Sequence, residues 1–309
     1  MSGTVASCSH RSLLPAGAEG GRAWPAFGFG TAQRLSCHSS RRQLHCQHFA
    51  AHALTSNAAH WRAAEYLVKH HIKDNQVVAL GSGPLAAAVI ESIAGFITAH
   101  QRQGIRCIAA SDAAAAEAAV HGLTQTNLDA HPEVDVLVCE ADCIDSARMA
   151  FVVGCIDDEQ ELPQQPQLLR FARLRKAAHH VIALVDDSTK VVTRLKGSLP
   201  VAIQASNWEQ TAEAIDDIFV GDAEIWRRSS EGPANPRGGE HPYTSPEGHQ
   251  LLDIKFDGGF KLYGKEVPYG QIAAEIEGVA GVVAHGLVVG ADMALIAEAA
   301  EPRMLVAQQ

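Results

Sequence analysis

Residues Val77–Val89 read VVALGSGPLAAAV. Four apolar residues, two glycines around a serine, then a proline and an alanine-rich run describe a buried strand, a tight turn and the start of a helix. In a protein of alternating strands and helices, such a unit cradles a phosphate. The glycines let the backbone approach an anion, and the first amides of the helix point at it. Two residues work against that use. Pro84 suits the first turn of a helix but brings no N–H, and Leu85 brings no hydroxyl. The stretch therefore predicts the bend of a phosphate loop with much of its binding chemistry removed.

The flanking sequence repeats the alternation. Apolar residues at helical spacing predict a helix over Asn57–His71, and Ala86–His100 reads as the helix after the turn. A short strand over Cys107–Ala110 precedes a helix running from a capping Asp112 to Val120. Val134–Cys139 is an apolar strand interrupted only by Asp135. Leu168–Ala178 is a helix, and Val181–Val185 is another buried strand ending in DDS. Short apolar strands between helices predict an α/β fold, a parallel sheet covered on both faces. Ligands of such sheets bind at the carboxyl ends of the strands, so residues 81–85, 110–113, 139–145 and 186–190 are the loops of interest.

Beyond Ser198–Ala205 the pattern changes. A helix over Trp208–Phe219 precedes a polar run rich in proline and glycine, which predicts a long or disordered loop near 228–248. A strand over Leu251–Phe256, a helix near Tyr269–Gly278 and two strand-like runs in Gly281–Glu298 follow, as expected of a smaller α+β domain. The expected division is 56–199 with 284–309 as the large domain and 200–283 as the small one. Asp157–Gln167 reads as a polar insertion. The histidine pairs His70–His71 and His179–His180 are expected at helix ends, satisfying the last carbonyls.

Charge and composition exclude some functions. Residues 1–60 hold five arginines, no lysine and a single acid, Glu19, a net +4; the rest carries −14 of the total of −10. An acidic body repels nucleic acid, so no nucleic-acid partner is expected. No apolar run approaches the roughly 18 residues of a membrane span. The Ser-, Ala- and Arg-rich, acid-poor residues 1–55 read as a disordered organelle transit segment, chloroplast ahead of mitochondrion, with a cytoplasmic tail as the bland alternative. Of seven cysteines, Cys107, Cys139, Cys143 and Cys155 lie in the body. Cys139-x₃-Cys143, with Cys155 and His131, does not match a zinc spacing, so no metal is expected. An electropositive pocket would make Cys139 a reactive thiol.

Taken in order, VVALGSG, AASDA, HPEVDVLVCEADCID, VIALVDDS, LPVAI, LLDIKF and GVVAHGLVVGAD resemble ribose-5-phosphate isomerase of type A over about residues 56–309. The resemblance implies a Rossmann-like large domain and a small α+β domain that helps make dimers or tetramers; an eroded site would also allow pairing with an active family member. The resemblance also implies interconversion of ribose 5-phosphate and ribulose 5-phosphate without metal or cofactor. That chemistry needs a carboxylate base and positive charge beside a developing oxyanion.

Residue by residue, the match is incomplete. The family loop Gly-Thr-Gly-Ser-Thr falls on Gly81, Ser82, Gly83, Pro84 and Leu85. Ser111 and Asp112 are kept, as sugar-phosphate ligands or as a plain helix cap. The family's Asp-Gly-Ala-Asp-Glu falls on Cys139, Glu140, Ala141, Asp142 and Cys143, so of its two aspartates only the second survives, as Asp142. The lysine position falls on Val152 and the base on Phe171, unless a displaced Glu161 takes that role. Asp186 is retained, and a later lysine falls on Thr189, one residue before Lys190. The expected protein is a family member with an eroded catalytic set, weakly active or inactive. A nucleotide-binding reading of GSGPLA is the rival, with Asp112 as ribose acid, although 29 residues separate it from Gly83 where about 20 is usual.

Overall fold

The computed structural model describes residues 58–155, 166–230, 241–298 and 300–307, all within one compact unit. The segment 1–55 expected to be a transit peptide, Glu161 and residues 231–240 of the polar loop lie outside the described residues. The strand that opens the quoted stretch, β1 (Val77–Leu80), is central in a six-stranded sheet. Its companions are β2 (Arg106–Ala109), β3 (Val134–Glu140), β6 (Ala178–Val185), β13 (Met293–Ile296) and β14 (Arg303–Val306). The order is β14-β13-β6-β3-β1-β2, parallel throughout except for the antiparallel edge strand β14. This is the expected Rossmann-like α/β sheet.

The period-2 geometry of a strand divides the apolar runs between two faces. Val78, Leu80, Val136, Val138 and Leu184 point to one side, packed with the helix over residues 58–71 (α1) and α2 (Pro84–Thr98). Val77, Ala79, Leu137, Cys139 and Ala183 point to the other, packed with Phe171 and Leu174 of α4 (Leu168–Ala177). Asp135, the acid that interrupts the β3 run, is used at the sheet's margin: its Oδ2 accepts the amide of Val77 at 2.7 Å.

The later sequence builds an antiparallel sheet, β11 (Val282–His285), β8 (Lys196–Gln204), β10 (His249–Gly259) and β9 (Ala223–Arg227). Helices α5 (Trp208–Ile218) and α6 (Tyr269–Glu277) pack over it around Phe219, Phe256 and Phe260. A third small sheet joins β4 (Cys143–Asp145), β5 (Ala150–Val152), β7 (Val191–Val192) and β12 (Leu287–Val289). Its strands hold two or three residues each, too few to show a period, so the sequence reading does not resolve them.

Several boundaries differ from expectation for local reasons. Ser111, not Asp112, caps α3 (Asp112–Val120), its Oγ accepting from Ala114 N at 3.1 Å. His179 and His180 are exposed residues of β6, not of a helix end, because the strand begins at Ala178 as α4 stops. The polar loop is tied at its base: Ser230 N donates to His241 O (2.8 Å) and Tyr243 N to Arg228 O (2.9 Å).

Arg228 itself is 1% exposed and forms an ion pair with the fully buried Asp253 of β10; Nε donates to Oδ2 at 3.0 Å. Removing one partner of a buried pair leaves the other charge in a low dielectric. Asp253→Ala is expected to cost about 3–5 kcal/mol in urea unfolding. A loss below about 1 kcal/mol, the range of exposed pairs, would show that this pair does not organise the second sheet.

Candidate functional site

The chain leaves β1 toward β2 on one side and reaches β3 on the other. Such a reversal opens a crevice at the strands' carboxyl ends. A cavity of about 550 Å³ lies there, between Gly81–Pro84, the start of α3, Glu140, Asp142 and the turn Val153–Cys155.

Every helix start leaves amides without an intrahelical partner. In α2 they can be counted. Pro84 has none, and Ala87 N already donates to Gly83 O at 2.9 Å. The amides of Leu85 and Ala86 remain, on residues that are buried. Both are taken by Glu140, at the end of β3; Ala86 N lies 2.7 Å from Oε1. Gly83 has φ +124°, a backbone that favours glycine, and a Cβ there would collide with the Glu140 carboxylate. The loop thus closes around a carboxylate supplied by the protein. Burial pushes the Glu140 pKa up to about 7, reinforced by Asp186 and opposed by the two amides and Lys190.

Asp142, two residues on, turns to the far wall. Its Oδ2 accepts the amide of Cys155 at 2.8 Å, and the amide of Gly154 also bonds to it. Gly154 (φ +86°) makes the turn that presents both amides. Burial raises the Asp142 pKa above the ordinary carboxylate value, with those amides and Lys190 opposing. Lys190 closes a 3₁₀ turn, Ser188–Lys190, after β6 and pairs with Asp186 at 2.7 Å. Burial works against its charge, but Asp186, Asp142 and Glu140 hold its pKa above the usual lysine value.

The residues singled out from the sequence are thus dispersed. Gly81, Ser82, Gly83 and Asp142 line the cavity. Asp186 stands behind it as the partner of Lys190. Ser111 is spent on the α3 cap. Asp112 faces a neighbouring cleft, bonded to Gln167 Nε2 (2.8 Å) and Arg170 Nη1 (3.1 Å). Phe171 is core on α4. Cys139 is 2% exposed, and burial drives its pKa far up, which removes it as a reactive thiol. His131 bonds to Thr126 Oγ1 at 2.8 Å.

Two residues escaped the sequence reading. Glu140 registers there only as a lost glycine. Lys190 registers as a lysine one place out of step; the 3₁₀ turn after DDS is the signal that would have placed it.

Comparison with known proteins follows from this geometry. The family model for "Ribose 5-phosphate isomerase A (phosphoriboisomerase A)" matches residues 106–301. The chain is 27% identical over 234 residues to ribose-5-phosphate isomerase A of Synechococcus sp. (strain JA-3-3Ab), covering 74% of this chain and 88% of that one. It is 28% identical over 232 residues to "Probable ribose-5-phosphate isomerase 3, chloroplastic" of Arabidopsis thaliana, covering 74% and 75%. The solved ribose 5-phosphate isomerase of Plasmodium falciparum superposes with a TM-score of 0.68 at 18% identity, over 82% of this chain and all of that one.

The raised pKa of Glu140 has a direction in pH. Its folded value, about 7, lies above its ordinary 4.5, so its contribution is fully present below 4.5 and is lost as pH rises through 7. Between pH 5 and pH 8 the wild type should lose roughly 3 kcal/mol relative to Glu140→Gln, by the 1.36 kcal/mol per pKa unit. Urea unfolding of both at the two pH values measures this; parallel pH profiles would show that Glu140 is not held in a desolvated site.

Proposed function

Because the chain belongs to the ribose 5-phosphate isomerase A family, we propose that it is a member whose phosphate cradle is filled by its own Glu140, leaving isomerase turnover weak or absent. The occupied cradle carries the reading. A helix N-terminus holds an anion because its amides and dipole favour negative charge. Here those amides are already bonded to the carboxyl group of Glu140.

The electrostatics support it. Among the described residues lining the cavity there are three acids, Glu117, Glu140 and Asp142, and no lysine or arginine. A phosphate entering would meet like charge, and Lys190 is engaged with Asp186. The catalytic positions agree. The position matched to the family's base is the buried Phe171, and the position of its lysine is Val152, also buried. A positioned base contributes about 10²–10⁴-fold and an oxyanion stabiliser about 10²–10³-fold. Without both, turnover falls by orders of magnitude. A sugar phosphate remains the ligand class to which the scaffold is suited. The composition of residues 1–55 and the chloroplastic name of the Arabidopsis relative support a plastid location, where the chain would assemble with itself or with an active relative.

The test is conversion of ribose 5-phosphate to ribulose 5-phosphate, followed by NMR beside an intact family member. Turnover at least about 10²-fold lower is expected; turnover within about tenfold of the control would overturn the proposal. Calorimetry with inorganic phosphate adds a second arm: no saturable binding by the wild type, and measurable binding by Glu140→Gly.

A further inference from the structure

Two cysteines border the site without being used by it. Cys143 opens β4, directly after Asp142; Cys155 follows Gly154, directly after the turn that ends β5. In the antiparallel β4–β5 pair Cys143 lies opposite Val152, and the turn at Gly154 folds the chain back. The Cys155 amide is bonded to the carboxylate of Asp142, the residue before Cys143, and the two thiols lie within reach of each other. They are also held over one strand, β8: Cys143 Sγ lies 3.9 Å from Lys196 O, and Cys155 Sγ 3.0 Å from Ser198 O. Both are half-buried, and Cys155 lines the cavity. Cys107 and Cys139, by contrast, are sealed in the main sheet.

We propose that Cys143 and Cys155 are a redox modification site, forming a reversible intramolecular disulfide by exchange with a low-molecular-weight disulfide such as oxidised glutathione. Cys143 gives up its proton, and its thiolate attacks one sulfur of the oxidant. The oxidant's S–S bond breaks, a Cys143–glutathione bond forms, and the released glutathione thiolate takes up the proton. Cys155 then loses its proton and attacks Cys143 Sγ, which expels the second glutathione as the thiol. Two protein thiols are oxidised, and one small disulfide is reduced to two thiols.

The order of attack follows from the contacts. The contact with Cys155 lowers the pKa of Cys143, while the same contact and burial raise that of Cys155. The disulfide would close a ring around β4 and β5 and grip Asp142 from both sides. Cys143 adjoins it in the chain, and the Cys155 amide is bonded to its carboxylate. The chemistry is independent of whether the protein turns over sugar phosphate.

The full chain, reduced and then incubated with oxidised glutathione, is alkylated, digested and mapped by mass spectrometry. A peptide pair joined through Cys143 and Cys155, released by dithiothreitol, is expected. Cys155→Ser should retain glutathione on Cys143, and Cys143→Ser should react about tenfold more slowly at Cys155. Recovery of wild-type Cys143 and Cys155 in alkylated form would overturn the proposal, as would a link from either to Cys8, Cys37 or Cys46. The wild-type map decides it without either variant.

Discussion

A buried backbone amide must find an acceptor, and at the start of α2 two of them have only Glu140. An unmade hydrogen bond there would cost about 1–3 kcal/mol for each buried group. The carboxylate therefore ties the end of β3 to the helix that follows β1, across the crevice of the sheet. The glycine at 83, the shape of the loop and the acidity of the cavity all depend on this contact. Lys190, bonded to Asp186, is the cation that offsets Glu140, Asp142 and Asp186 together. A helix start that ordinarily faces outward to a ligand is satisfied from within.

The opposite wall is organised by a second series of polar contacts. Asp253 on β10 holds Arg228, and Arg228 Nη2 donates to Gly154 O at 2.9 Å. The amides of Gly154 and Cys155 then hold Asp142. This series joins the antiparallel sheet to the tip of β3. A buried guanidinium is expensive to desolvate, so it is informative where one is kept. Here it fixes the turn that orients the retained aspartate.

The large elements could be read from the sequence because their signals are local. VVAL, VLVC and VIALV are continuous apolar runs, as suits strands buried on both faces. Asp142 is legible because the order of the surrounding segments resembles the family, although most of its immediate neighbours depart from the motif. The rest of the site depends on partners far apart in the chain. Nothing near Glu140 indicates that its carboxylate will reach Ala86, 54 residues earlier; a glutamate at a strand end more often faces water. Arg228 sits in a stretch of serine, glycine and proline that reads as solvent-exposed, and only the pairing of the loop's ends buries it. The strands of the third sheet are too short for any periodicity to register.

The occupant of the loop is tethered, and that changes the competition for it. A free anion acts at its concentration in solution, whereas a group on the same chain acts at an effective concentration, in the millimolar range for short flexible links and higher for a side chain already in place. Any phosphate would have to outcompete a carboxylate that never diffuses away. Serine and threonine regained at positions 84 and 85 would add hydroxyls around a carboxyl group already seated. The route back to an open cradle begins on the neighbouring strand, at the residue that fills it, not in the loop whose glycines give it away.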